Sequence, residues 1–103
     1  MRRAQVYFFD RLAGLLLEDE EGYHFSYDGF YLQGEPIPIS MSLPLQAETF
    51  HSQLLFPFFD GLIPEGWLLG IALDNWKLDA NDRMGLLLAC CRDCVGAVSI
   101  REF

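Results

Sequence analysis

Three features of the sequence predict an α+β fold, a small antiparallel sheet with about three short helices packed on one face. Aromatic and β-branched runs with period two fill the first third, hydrophobic spacing turns helical after Glu48, and an alternating small and β-branched run closes the chain. The 103 residues suffice for one core and not two, since a chain of this size buries roughly 60–65% of the surface it exposes when unfolded. One domain over 1–103 is therefore expected.

Residues 5–9 (Gln-Val-Tyr-Phe-Phe) read as the first strand, residues 10–14 as a turn, and Leu15-Leu16-Leu17 as the returning hairpin partner. The acidic run Glu18-Asp19-Glu20-Glu21-Gly22 reads as a solvated turn. Next, residues 23–27 alternate, placing Tyr23, Phe25 and Tyr27 on one face and His24 and Ser26 on the other, so His24 reads as a surface strand residue rather than a ligand. Residues 29–44 carry Pro36, Pro38 and Pro44 and are expected to run extended, with 39–43 as a short strand pointing Ile39, Met41 and Leu43 inward.

Leu54, Leu55, Phe58, Phe59 and Leu62 follow helical spacing, yet Pro57 has no N–H to give a helix interior. The helix must start near Pro57 or kink there. Pro64-Glu65-Gly66 reads as a turn into a second helix over 67–76 whose start is apolar on both faces. A third helix, 82–91, is expected to be capped by Asp79 or Asn81, with Met84, Leu87, Leu88 and Cys91 on one side and Asp82 favouring the N-terminal dipole. Residues 94–100 read as a closing strand, expected to pair with the N-terminal hairpin, with Gly96, Val98 and Ile100 on one face.

Composition excludes several functions. The 51% hydrophobic and 15% aromatic content excludes disorder. Fifteen acidic against seven basic residues, a net charge of −8, leaves no basic patch for phosphates, so direct nucleic-acid binding is not expected. The longest apolar runs, 67–73 and 84–91, fall well short of the ~18–20 residues of a membrane span, so no membrane association is expected. Asp10 and Arg11 interrupt the apolar stretch behind Met1-Arg2-Arg3, which argues against a signal peptide and for a cytoplasmic protein.

Cys90, Cys91 and Cys94 lie in one apolar segment and are odd in number, which fits buried thiols in a reducing compartment better than a disulfide framework. Cys91-x-x-Cys94 has no second cysteine pair, and His24 and His51 are remote from it in sequence, so no metal site and no cofactor are expected. No phosphate-binding glycine loop, nucleophile elbow or His-Glu-x-x-His motif occurs, and no catalytic residue is assigned.

Aromatic and apolar density around a tight turn stands out: Phe58-Phe59-Asp60-Gly61-Leu62-Ile63-Pro64-Glu65-Gly66-Trp67. A core this small accommodates only part of that set, and a Trp at a corner is the kind of residue that anchors protein interfaces. Phe59, Asp60, Gly61, Leu62, Ile63, Pro64, Glu65, Gly66 and Trp67 are the candidate partner-binding residues.

That block, together with Ser42-Leu43-Pro44-Leu45 before it and Arg92-Asp93-Cys94-Val95-Gly96-Ala97-Val98 after it, resembles in order and spacing the N-terminal subdomain of HipA-type serine/threonine kinases. The resemblance covers essentially the whole chain and departs from the family in Cys91 and Cys94. It implies that the family's catalytic residues lie outside this sequence, so the chain is not expected to be an enzyme. In tripartite HipBST-like toxin–antitoxin systems this subdomain is a separate antitoxin. The resemblance then implies a HipS-like protein that binds a HipT-like kinase toxin and suppresses phosphorylation of a target such as an aminoacyl-tRNA synthetase. A HipB-like helix-turn-helix protein would be the third partner and carry DNA binding. Two other readings are a structural subunit that docks without inhibiting, and a redox or metal module built on the three cysteines.

Overall fold

The computed structural model describes residues 2–63, 81–91 and 97–103. Within them lies a five-stranded antiparallel sheet of β1 (Arg2–Phe8), β2 (Arg11–Asp19), β3 (Gly22–Tyr27), β4 (Phe50–Ser52) and β5 (Val98–Glu102), in the spatial order β4-β3-β2-β1-β5. Three short helices accompany it among the described residues: α1 (Gly29–Gln33), α2 (Pro57–Asp60) and α3 (Arg83–Cys90). The expected α+β class holds, as does the pairing of the closing strand with the hairpin, β5 lying antiparallel to β1.

Strand alternation sets the core. Ala4 and Val6 of β1, Leu16 of β2, Phe25 and Tyr27 of β3, and Val98 and Ile100 of β5 are buried on one face. Tyr31, Phe59, Met84, Leu86 and Leu87 from the helices fill the same cluster. The β1–β2 turn is only Phe9 and Asp10, so residues 11–14, expected as turn, belong to β2. A bulge lets the strand carry them: Val6 pairs with Gly14 but Tyr7 with Leu12, which leaves Ala13 as the extra residue. Gly14 sits inside the strand because a Cβ there would lie 2.4 Å from the Ser26 carbonyl oxygen.

The connector differs from expectation in two places. Asp28 caps a helical turn, its carboxylate accepting the N–H groups of Phe30 (3.1 Å) and Tyr31 (3.2 Å), so α1 forms where extended chain was expected. Beyond it, Ile39 and Leu43 are buried but Met41 is 99% exposed, because the Ser40–Leu43 bridge turns the chain and breaks the period-two pattern. Two tyrosines hold this segment down: the Tyr27 hydroxyl donates to the Leu43 carbonyl and accepts the Ile39 N–H (3.1 Å), and Tyr31 bonds both backbone groups of Ile37. β4 is the remaining unexpected strand, pairing Phe50, His51 and Ser52 with Phe25, His24 and Tyr23.

α3 is capped by Asp82, not by Asp79 or Asn81: the Asp82 carboxylate accepts the Gly85 N–H at 3.1 Å. The same carboxylate takes two hydrogen bonds from the Arg2 guanidinium (2.7 and 2.9 Å), while Glu18 takes two more (2.6 and 3.0 Å). One arginine thus fastens β1, β2 and the start of α3. Arg2 holds the Asp82 carboxyl below the ordinary carboxylate range, and the two carboxylates push the guanidinium's own pKa up.

Candidate partner-binding surface

α2 begins where the proline dictates. Pro57 occupies the first helical position, where a missing N–H costs nothing. The helix closes within a turn, with Gly61 donating to the Pro57 carbonyl (2.9 Å), Leu62 to Phe59 (3.0 Å) and Ile63 to Asp60 (3.2 Å). This compact corner carries the described part of the sequence-predicted surface.

Its side chains divide into supports and contacts. Phe59 is fully buried, its ring 5.5 Å from Phe25, 6.1 Å from Phe56 and 5.2 Å from Phe58, and Ile63 is buried as well. These two side chains therefore hold the turn from below, packed into the core of the chain. Asp60, Gly61 and Leu62 lie at or near the surface. Pro64, Glu65, Gly66 and Trp67, the helix over 67–76 and Cys94 fall outside the described residues.

The corner is tied to both ends of α3. Arg83 Nε donates to Asp60 Oδ1 at 2.6 Å, with both side chains more than a third exposed, and the buried Cys91 thiol donates to the Leu62 carbonyl at 3.3 Å. The first link neutralises one charge of each sign; the second gives Cys91 a packing role, as expected for a small buried thiol. Beside the corner lies a groove of about 460 Å³ bordered by Tyr23, Leu54, Pro57, Asp60, Asn81 and Arg83. Leu54 on its rim is 78% exposed. An exposed leucine and a proline around a locally neutral ion pair suit an apolar protein surface better than a charged small molecule.

Sequence reasoning missed the contribution of Tyr23, Leu54 and Arg83, which only the β3–β4 pairing and the docking of α3 bring to this corner. Among the described residues no group of three or more His, Cys, Asp or Glu side chains gathers into a metal-binding cluster, and no helix is long and apolar enough to cross a membrane.

Comparison with known proteins agrees with this geometry. An uncharacterized protein of Haemophilus influenzae is 41% identical over 102 residues, covering 99% of this chain and 93% of that one. A protein of Sinorhizobium fredii named as a kinase, Y4mE, is 37% identical over 67 residues, which are 63% of this chain and 16% of its own length. A solved structure of the N-terminal domain of HipA toxin matches with a TM-score of 0.75 and 31% identity, over 100% of this chain and 93% of that one. The model of the HipA N-terminal domain matches residues 4–101, and the chain belongs to that family.

Proposed function

We propose that this chain is a non-enzymatic, cytoplasmic antitoxin that binds and neutralises a HipT-like serine/threonine kinase toxin. The carrying observation is the match of the HipA N-terminal domain to residues 4–101. It is supported by the kinase-named relative, in which the matched stretch is 16% of a longer chain. A domain joined covalently to a larger body packs on it at high effective concentration, and the same surface presented by a separate chain becomes an intermolecular interface. A HipB-like helix-turn-helix protein completes the complex and carries the DNA contacts that a chain of net charge −8 is poorly suited to make.

In this reading the corner at Asp60, Gly61 and Leu62 and the following Pro64, Glu65, Gly66 and Trp67 dock beside the kinase active site, supported by Phe59 and Ile63. They obstruct lobe closure or substrate access. Trp67 is the anchor, and truncating an interface Trp to Ala costs about 2–4 kcal/mol, roughly 30- to 1000-fold in affinity. The test is a kinase assay with the HipT-like partner, titrated with wild type and Trp67→Ala. Wild type abolishes phosphorylation and the variant needs far more protein to do so; equal potency removes the corner from the mechanism. A complex that forms with kinase activity intact is the outcome that favours a structural subunit instead.

A further inference from the structure

His24 and His51, 27 positions apart, are direct cross-strand partners on β3 and β4. They sit on the sheet face opposite the core, and their Nδ1 atoms face one another at 2.6 Å with the rings nearly perpendicular. His24 Nε2 lies 2.9 Å from Asp19 Oδ1 at the end of β2. An ionised carboxylate only accepts, so that contact places the ring proton of neutral His24 on Nε2 and leaves its Nδ1 lone pair directed at His51.

We propose that His24 and His51 form a two-nitrogen site for a borderline divalent transition-metal ion of the zinc or nickel class, with Asp19 holding His24 in the ligating tautomer. Imidazole nitrogens select such ions over magnesium and calcium. A carboxylate on the far nitrogen of a ligating histidine is the usual way its ring is oriented and its basicity raised. The ion takes the place of the single proton that now lies between the two Nδ1 atoms: His51 ligates through Nδ1 as a neutral ring once its proton is exchanged through solvent to its own Nε2, so no net proton is released. Zinc–nitrogen bonds of about 2.0–2.1 Å at a tetrahedral angle need the nitrogens about 3.3 Å apart. The pair must therefore open by roughly 0.7 Å. His51 is exposed, on the three-residue edge strand, and its ring can make that movement without disturbing the core. Glu20 and Glu21 in the adjoining turn add negative potential that concentrates cations nearby. Water completes the coordination shell.

The site fastens the edge strand that leads into α2, so metal binding should be visible in stability as well as in heat. The test is calorimetric titration of the intact chain with zinc chloride and nickel chloride at neutral pH, with thermal melting alongside. One saturable site per chain is expected, unaffected by excess magnesium, with a rise in Tm of several degrees. His51→Ala, an exposed position, should weaken binding at least tenfold and abolish the rise, and Asp19→Asn should weaken it about tenfold. A Glu20→Gln/Glu21→Gln double variant should bind within twofold of wild type. Melting of each variant without metal shows that it is folded. No saturable binding at millimolar zinc, or binding lost in the glutamine variant and kept in His51→Ala, overturns the proposal.

Discussion

Phe59→Ala separates support from contact in the candidate corner. Phe59 is fully buried and meets three other rings, those of Phe25, Phe56 and Phe58, at 5.2–6.1 Å. Truncating such a side chain costs about 3–5 kcal/mol in lost burial and residual cavity. A domain of this length has a total stability of roughly 5–15 kcal/mol, so about a fifth or more of it disappears. At about 4–8 °C per kcal/mol for a domain near this size, Tm should fall on the order of 12–40 °C. Leu62→Ala, at a half-buried position on the same turn, should lower stability by no more than about 1 kcal/mol and reduce kinase binding instead. Urea unfolding followed by circular dichroism gives the first quantity, and affinity for the kinase, measured below the melting transition, gives the second. A Phe59→Ala protein that melts within a few degrees of wild type refutes the packing assigned to this ring. One that keeps stability but loses binding puts the ring at the interface after all.

Other outcomes follow from the same structure. Arg2→Ala removes four hydrogen bonds and leaves Glu18 and Asp82 without their shared cation; discounted for the third of the side chain that stays exposed, the loss near pH 7 is about 1–2 kcal/mol. Because the folded-state pKa of Asp82 is depressed, its stabilisation is present above the unfolded value of about 3.9 and fades as pH falls through the folded one. Wild type and Arg2→Ala should therefore differ in Tm by a steady gap above about pH 4 and converge as pH falls further below it, and a gap that persists undiminished well below about pH 4 contradicts the linkage. Gly14→Ala forces a methyl against the Ser26 carbonyl oxygen and should cost about 1–3 kcal/mol by spreading β2 from β3; a neutral result in chemical denaturation would show the strands less closely set. Phe9 holds a φ of 55° at an exposed turn, so Phe9→Gly should be neutral or stabilising by up to about 1 kcal/mol, read as an equal or raised Tm.

Local rules made some elements legible. Alternation gave the inward face of β3 because Phe25 and Tyr27 recur every second residue, and the ring of Pro57 marked the start of α2. β5 was visible for the same reason, since Val98 and Ile100 alternate, whereas the three consecutive leucines of α3 blurred its inner face: Leu86 is buried with Met84, Leu87 and Cys91, and Leu88, expected there, is only half-buried. β4 was not, because three residues carry no period and Phe50 is fixed only by pairing with Phe25 across the sheet. α1 was hidden by the glycines and prolines around it, although Asp28 is an ordinary helix cap. Within the candidate corner, helical spacing located the turn but could not say that Phe59 and Ile63 are buried while Leu62 is only partly so, since that depends on where α3 docks. The two histidines were likewise remote in sequence and adjacent in space.

The most direct test of the antitoxin reading is the phosphorylation activity of the HipT-like kinase purified with and without this chain. Stoichiometric loss of activity, restored by Trp67→Ala at the same concentration, is what the account predicts. Undiminished activity in a stable complex, or no complex at all, would contradict it.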